Sequence, residues 1–241
     1  MAKEFSFADL NKEMSKISEY GNTLDKSTIS EIDHYIQTGN YHLNACLTGS
    51  LFGGYPNNRA VALAGPSGTG KTYLILNAIK QAQKQGYSIV FYDSENAVDK
   101  ALVEKFGIDA SKFRYEPCNT VQEFRSSVTA ITDVLIEQKK KGIALPKIMV
   151  VLDSAGNLAT QKEIDDAKTG SSKADMTRAK LLKSTFRIIM TQFGICKIPF
   201  LFTNHTYQTQ DLFSRQVGGG GTGPEYAASI ILFLGKAKLK E

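Results

Sequence analysis

Cysteine is scarce in the sequence, and the few present do not suit a zinc site or a disulfide framework. Cys46, Cys118 and Cys196 include no CxxC pair, and no histidine stands at the spacing of a zinc-ligand set. We interpret the three residues as buried or idle thiols of a reducing compartment.

Long apolar runs are also missing. No stretch approaches the roughly 18 apolar residues of a membrane span. The first residues, MAKEFSFADLNKEMSK, carry charges where a signal peptide has an apolar segment. We therefore expect a cytoplasmic protein with no membrane partner.

Charge of one sign is only slightly in excess. The sequence has 29 lysine and arginine residues against 24 aspartate and glutamate residues, a formal net charge of +5. This excess suits a polyanion partner without requiring one. With 241 residues, of which 42% are hydrophobic, the chain can bury a core without disulfides. Composition therefore predicts one globular domain, with or without a short arm, and leaves function to the motifs.

Apolar strands alternate with helical segments from residue 59 onward. The buried strands that we predict are RAVALAG, SIVFYD, KIMVVLD, IPFLFTN and SIILFLG, with a shorter strand at KFRYEP. Helices are predicted over residues 71–85, 98–106, 120–141 and 174–193. This order predicts an α/β fold with a mainly parallel sheet flanked by helices. We assign residues 36–241 to this core and residues 1–35, with an amphipathic helix over 6–20, to an N-terminal arm.

The stretch between the first buried strand and the next helix matches the motif GxxxxGK[ST]. It consists of Gly65, Pro66, Ser67, Gly68, Thr69, Gly70, Lys71 and Thr72, followed by Tyr73. Glycines let backbone amides converge on phosphate oxygens, and the following helix start adds partial positive charge. Lys71 should reach the β- and γ-phosphates, and the Thr72 hydroxyl should bind Mg²⁺. We call residues 65–72 the P-loop and predict a site for ATP and Mg²⁺ at residues 65–73.

Acidic side chains stand at the ends of two further strands. Asp153 ends KIMVVLD, where a carboxylate can support Mg²⁺; its alternative role is to cap the next helix. Asp93 and Glu95 follow the strand after the P-loop helix, and either could orient or deprotonate the attacking water. Their spacing alone does not separate a catalytic carboxylate from a helix cap.

Polar residues end the fourth buried strand. Asn204 and His205 lie where ligands bind in such sheets, so we predict that they sense the γ-phosphate, although a lone histidine is more often structural. Residues 207–226 and 158–175 show no apolar periodicity, and we predict both as loops without regular structure. Four consecutive glycines in the first favour a mobile loop that orders on binding.

Basic residues cluster beside these two loops. A solvated helix face is the alternative to phosphate contact. We favour contact with single-stranded DNA threaded between the loops. The predicted DNA-binding residues are Lys173, Arg178, Lys180, Lys183, Arg187, Arg215, Gly218, Gly219, Gly220 and Gly221.

Five segments together resemble the UvsX recombinases of tailed phages, a branch of the RecA superfamily. They are GPSGTGKT, FYDSEN, VVLDSAGNLA, ADMTRAKLLKSTFR and TNHTYQTQDLFSRQVGGGGTGPEYAAS. The resemblance covers residues 36–236, and the last two segments are its most specific part. It implies a RecA-like P-loop ATPase core that forms a helical filament on single-stranded DNA, searches double-stranded DNA for homology and exchanges strands. It also implies roles in recombination, repair and replication, with a mediator and a single-stranded DNA-binding protein as partners.

The resemblance also implies individual roles. It makes Asp153 the Walker B acid and selects Glu95, rather than Asp93, as the catalytic carboxylate. It puts His205 where RecA proteins have a glutamine that couples the γ-phosphate to DNA.

The implied DNA contacts follow the same resemblance. Residues 158–175 correspond to DNA loop one and 206–223 to DNA loop two. Lys180 and Arg187 have the spacing of two DNA-contacting arginines, with lysine replacing the first arginine. The N-terminal arm would pack on a neighbouring subunit.

Two departures from the family modify these expectations. Leu102 stands where RecA proteins stack a tyrosine on adenine, so we expect a weaker base contact or one from elsewhere. The family continues beyond residue 241 with basic residues that complete the neighbouring ATP site. We therefore expect this chain alone to bind nucleotide and to hydrolyse ATP poorly.

Three other functions share parts of this pattern. A RecA-like hexameric helicase would need a motor loop and usually a large partner domain. A small-molecule kinase would need an arginine-rich lid, and the long loops here contain few arginines. A non-catalytic module that binds ATP only to assemble remains as the third.

Overall fold

The computed structural model of the protein describes residues 4–170, 177–208, 216–218 and 223–237. The helices of this part are α1 Phe7–Met14, α2 Tyr41–Thr48, α3 Lys71–Lys84, α4 Lys100–Lys105, α5 Val121–Lys140, α6 Gln161–Thr169, α7 Arg178–Cys196 and α8 Gly223–Ala227. The strands are β1 Tyr35–Ile36, β2 Tyr55–Pro56, β3 Ala60–Ala64, β4 Ser88–Asp93, β5 Phe113–Pro117, β6 Ile148–Asp153, β7 Phe200–Asn204, β8 Thr206–Gln208, β9 Gln216–Gly218 and β10 Ile230–Phe233. Within these residues, no helix is both long and apolar enough to cross a membrane.

Six of the strands form one sheet in the order β10-β3-β7-β6-β4-β5, and every pairing is parallel. The four inner strands are almost entirely buried, whereas the edge strands β5 and β10 are partly exposed. This gradient explains why the inner strands are apolar throughout. The predicted fold class, a mainly parallel α/β sheet flanked by helices, is confirmed.

Alternate residues of the strands pack on opposite faces of the sheet. Tyr92 and Phe200 belong to the cluster that α5 and α7 cover, whereas Phe91 and Leu201 belong to the cluster that α3 covers. Adjacent side chains along a strand point to opposite faces, so each face forms a separate core. The two cores hold the strands in register and thereby fix the positions of the strand ends.

Phe200 is the centre of the first core. It is fully buried, and its ring centroid lies 5.2 Å from Phe202, 5.3 Å from Phe193, 5.7 Å from Phe186 and 6.2 Å from Phe124. We expect Phe200→Ala to lower the free energy of unfolding by about 3–5 kcal/mol, because the rings around it cannot collapse fully into the cavity. Urea unfolding should show this loss. Phe233→Ala on edge strand β10, where the side chain is 55% exposed, is the matched control. A loss below about 1 kcal/mol for Phe200→Ala would contradict close packing of this face.

The predicted strands are confirmed to within one or two residues, but other segments differ from the prediction, first among them two that were predicted as loops. Residues 161–169, predicted to lack regular structure, form α6. The Thr160 side chain accepts a hydrogen bond from the Glu163 amide, and Glu163 accepts one from the Thr160 amide. This capping box, with Gly170 in the left-handed conformation at the other end, stabilises a helix that has no buried face. The prediction relied on apolar periodicity, which such a helix lacks.

The second difference concerns residues 207–226. Strands β8 and β9 pair in antiparallel register, with Tyr207 opposite Val217, and α8 follows them. The prediction of a structureless loop is therefore wrong for these elements; residues 209–215 and 219–222 lie outside the described part. Near the N-terminus, α2 begins after an Asn40 cap in a segment for which no helix was predicted, and α1 is shorter than the helix predicted over residues 6–20.

Candidate active site

The four inner strands bring the predicted site residues to one edge of the sheet. They run in the same direction, and their carboxyl ends are Ala64, Asp93, Asp153 and Asn204. Ligands of open α/β sheets bind at this edge. The P-loop and the segments around Glu95 and His205 lie directly beyond it.

The P-loop has the backbone of an anion-binding loop. The Gly65 amide donates to the Asn204 carbonyl at 3.1 Å, which ties the loop to β7. Gly68 and Gly70 have φ of +72° and +89°, a left-handed conformation that favours glycine. Helix α3 begins at Lys71 and has no side-chain cap. Its first amides can therefore serve a phosphate.

Lys71 lies inside this loop. Its side chain is mostly buried, with 7% of the residue exposed. Its Nζ donates to the carbonyls of Gly65 at 2.8 Å and Pro66 at 2.9 Å. Burial lowers the pKa of Lys71, and the charges of Glu95 and Asp153 oppose that shift. The ammonium group thus points into the cradle that a phosphate would fill.

Asp153 is buried and bonded through both carboxylate oxygens. Thr72 Oγ1 donates to Oδ2 at 2.7 Å, and Thr203 Oγ1 donates to Oδ1. Burial raises the pKa of Asp153, against the effect of these two hydrogen bonds, and the negative charges of Glu95 and Asp93 add to the rise. A nearby cation would favour the charged form.

The pair formed by Thr72 and Asp153 fits Mg²⁺ in its chemistry. Hydroxyl and carboxylate oxygens are the donors that this ion prefers. In the described ranges, no group of three or more His, Cys, Asp or Glu side chains could hold a metal ion. An ion at this pair would therefore take its remaining ligands from water and from a bound phosphate chain, as Mg²⁺ commonly does.

Glu95 is held from two sides. Ser154 Oγ donates to Glu95 Oε1 at 2.6 Å, and His205 Nε2 lies 2.7 Å from the same oxygen. Burial disfavours the ionised form, but the hydrogen bonds from Ser154 and His205 and the charges of His205 and Lys71 outweigh it, so the pKa of Glu95 is lowered. A carboxylate that is ionised and fixed in direction can accept a proton from a water molecule.

Asp93 occupies a different environment. It is buried, and its carboxylate accepts hydrogen bonds from the amides of Glu95 at 2.9 Å and Val98 at 3.2 Å, and from the Tyr115 hydroxyl at 3.2 Å. These bonds fix the turn after β4. The two acids that spacing alone did not separate therefore differ in their contacts: Asp93 bonds the turn, whereas Glu95 bonds Ser154 and His205.

Asn204 and His205 diverge at the end of β7. Asn204 is buried, and a Cβ atom added to Gly156 would lie only 2.7 Å from its Oδ1, which has no hydrogen-bond partner in the described part of the chain. His205 turns to Glu95, and the next residue begins β8. Of the two residues predicted to sense the γ-phosphate, His205 is the one that contacts Glu95.

The basic face predicted to bind DNA lies on α7. Lys180, Lys183 and Arg187 are exposed and lie three and four residues apart, so they share one side of the helix. Arg178 differs, because it is partly buried and its Nη2 donates to the Gly156 carbonyl. Gly218 ends β9. Lys173, Arg215, Gly219, Gly220 and Gly221 lie outside the described residues.

Comparison with known proteins assigns the chain to a family. The family model for the RecA N-terminal domain matches residues 4–231. The chain belongs to the RecA family. That assignment confirms the resemblance found in the sequence.

The similar proteins of this family include phage and bacterial members. A "Recombination and repair protein" of Enterobacteria phage T4 is 36% identical over 201 residues, which are 83% of this chain and 49% of that protein. A "Protein RecA" of Lactobacillus delbrueckii subsp. bulgaricus is 30% identical over 244 residues, 99% of this chain and 69% of that protein. A "Protein RecA" of Rickettsia canadensis is 29% identical, with 85% and 60% covered. The chain thus spans about half the length of its phage relative.

Three contacts of this RecA-family site were missed by the sequence prediction. Ser154 bonds Glu95, Thr203 bonds Asp153, and Tyr226 lies with its ring 5.5 Å from Lys183 Nζ. Each pair joins residues at least 43 positions apart, a separation that local patterns do not encode. The serine directly after Asp153 and the threonine directly before Asn204 were the available signals, because polar residues at buried strand ends need partners.

Tyr73 was included in the predicted site only because it directly follows Thr72 in the sequence. It is 61% exposed beside the P-loop, and its ring lies edge-on to Phe106 at 5.3 Å. Leu102, for which the resemblance led us to expect a weaker base contact, is partly buried against the second core.

Proposed function

We propose that the protein is an ATP-dependent recombinase that binds single-stranded DNA and pairs it with homologous double-stranded DNA. The contact between Glu95 and His205 carries the proposal, because it joins the group suited to activate water to the segment that leads into β8 and β9. A RecA-family core with this contact can make DNA binding depend on the γ-phosphate. The names of its relatives, a recombination and repair protein and RecA, support this function.

The site residues divide the proposed reaction among them. The P-loop amides and Lys71 hold the phosphate chain of ATP, and Thr72 with Asp153 would hold Mg²⁺. When bound there, Mg²⁺ would supply positive charge to neutralise the charge that develops on the β- and γ-phosphates. Glu95 accepts a proton from the attacking water, with its carboxylate held by Ser154 and His205.

His205 then transmits the state of the nucleotide. Its ring bonds Glu95 while its backbone continues into β8, so a change at the γ-phosphate that moves Glu95 also moves the start of β8. The segment around β8 and β9 and the face of Lys180, Lys183 and Arg187 form the proposed DNA interface. Exposed Tyr226 beside Lys183 adds an aromatic ring of the kind on which bases stack.

The proposed assembly is a helical filament of this chain on DNA. Residues 1–35 would form its N-terminal arm, since Phe7, Leu10 and Met14 on α1 are exposed and need a partner surface. A mediator and a single-stranded DNA-binding protein are the further partners proposed. The proposed location is the cytoplasm, that of the host cell if a phage encodes the protein.

An ATPase assay with and without single-stranded DNA tests the function. We expect single-stranded DNA to stimulate phosphate release, measured in single turnover so that slow hydrolysis is detected. Joint molecules should form between homologous DNAs and not between heterologous ones. Nucleotide binding without any turnover would support the assembly module instead. Turnover indifferent to single-stranded DNA, or DNA unwinding without pairing, would contradict the recombinase and favour a helicase.

A further inference from the structure

The last strand of the sheet ends beside the P-loop. Strand β10 pairs with β3 in parallel register, with Phe233 opposite Ala64. The Leu234 amide donates to the Ala64 carbonyl at 2.8 Å. Because β3 leads directly into the P-loop, the residues after β10 run along that loop.

The segment after β10 approaches the P-loop closely at Gly65. A Cβ atom at Gly65 would lie 2.4 Å from the Leu234 carbonyl oxygen, a distance that real Cβ atoms do not tolerate. The first residue of the P-loop is therefore in backbone contact with the segment that follows β10. Gly235 comes next and has open space around it. The chain then reaches Lys236.

Lys236 extends over the P-loop. A Cβ atom at Gly68 would lie 3.2 Å from Lys236 Nζ and 3.6 Å from its Cε. In the part of the chain that the structure describes, Lys236 has no carboxylate within ion-pair distance, and the nearby acids are engaged elsewhere: Asp153 with Thr72 and Thr203, and Glu95 with Ser154 and His205. Burial is the main cause of the lowered pKa of Lys71, and the charge of Lys236 adds to that lowering.

Lys236 thus has no counter-ion among the described residues and lies against a loop of phosphate-binding geometry, so its ammonium group is in a position to bind a phosphate oxygen. Lys71 reaches the cradle from inside and is bonded to loop carbonyls, whereas Lys236 reaches Gly68 from the solvent side. Two cations on opposite sides of a polyphosphate attract it more strongly than one, because each makes a charge-assisted contact. Exposed Lys236 remains sensitive to salt, whereas buried Lys71 is largely shielded.

We propose that Lys236 is a second phosphate-binding lysine, supplied by the same chain and directed at the polyphosphate of the nucleotide in the P-loop. This role rests on the proposed nucleotide-binding function and adds a residue that no P-loop motif contains. The end of β10 thereby becomes part of the nucleotide site.

Titration of the full chain with a fluorescent ATP analogue tests the role. We expect Lys236→Ala to weaken binding about tenfold, the loss of one charge-assisted contact to a phosphate, and Lys236→Glu to weaken it further. Lys236→Arg should bind within about twofold of the unsubstituted chain, since it keeps the charge. Binding by Lys236→Ala should also depend less steeply on salt.

Lys84→Ala is the matched control. It removes a lysine from the far end of α3, about 20 Å from the P-loop at 1.5 Å per residue. It should bind the analogue like the unsubstituted chain. Normal binding by both Lys236→Ala and Lys236→Glu, with the unsubstituted chain binding well, would overturn the role of Lys236 and leave the proposed function intact. Failure of the unsubstituted chain to bind nucleotide would overturn both.

Discussion

Replacing Lys71 by alanine should abolish ATP-dependent binding of single-stranded DNA. The Nζ of Lys71 is buried between the Gly65 and Pro66 carbonyls and points into the phosphate cradle. Its removal should weaken the binding of ATP by at least about 30-fold. The loss of one partner of a buried charge pair, here the lysine that faces the phosphate, costs on the order of 2 kcal/mol or more. Without bound nucleotide, no γ-phosphate is present to act on β8 through the contact between Glu95 and His205.

Fluorescence anisotropy of a labelled oligonucleotide, with and without ATP, measures this effect. Lys84→Ala on the same helix serves as the control for loss of a lysine and should keep the response to ATP. Thermal unfolding should show that Lys71→Ala still folds, since the substitution leaves no charge unpaired in the loop. If DNA binding by Lys71→Ala still responds fully to ATP, DNA binding does not depend on Lys71, and the proposed link between the P-loop and the DNA interface is wrong.

Replacing Glu95 by glutamine should leave ATP bound and stop its hydrolysis. The amide preserves the shape of the side chain and an oxygen that can accept from Ser154, but it cannot take a proton from water. We expect single-turnover phosphate release to fall by about 10²- to 10⁴-fold, the range of general-base catalysis. Affinity for the fluorescent ATP analogue should change little, because Glu95 contacts neither the P-loop amides nor Thr72 in the described structure.

Two other acids sharpen this experiment. Glu104→Gln changes an exposed carboxylate on α4 and should hydrolyse ATP normally. Asp93→Asn should mainly lower stability, because Asp93 bonds the amides of Glu95 and Val98 in the turn after β4. Phosphate release that survives Glu95→Gln and disappears in a folded Asp93→Asn variant would assign catalysis to Asp93.

The sheet could be predicted from the sequence because its inner strands carry their own signal. Strands β3, β4, β6 and β7 are buried on both faces, so each is a continuous apolar run that local reading recognises. The P-loop could also be predicted from the sequence, because its backbone conformation and its phosphate contact require glycine and lysine at fixed spacing. Parallel strands then place every strand end at one edge, which brought Glu95, Asp153 and His205 together in the prediction.

Features set by local capping or by distant contacts were missed. Helix α6 depends on a capping box and buries no residue, so its sequence shows no apolar periodicity that would predict a helix. The link from Ser154 to Glu95 and that from Arg178 to Gly156 depend on how loops meet at the sheet edge. Lys180 and Arg178 look alike in the sequence, yet one is exposed and the other is bonded to a carbonyl.

The bonds of the site span long stretches of chain. Thr72 and Asp153 are 81 positions apart, and Glu95 and His205 are 110 apart. An unfolded chain cannot hold these groups together, so the nucleotide site exists only when the sheet is complete. Any ligand of the site therefore shifts the folding equilibrium toward the native state, by about 2.7 kcal/mol at a concentration 100 times its dissociation constant. Under the proposed function, cellular nucleotide would act on this protein twice, as the substrate of hydrolysis and as a determinant of how much of the chain is folded.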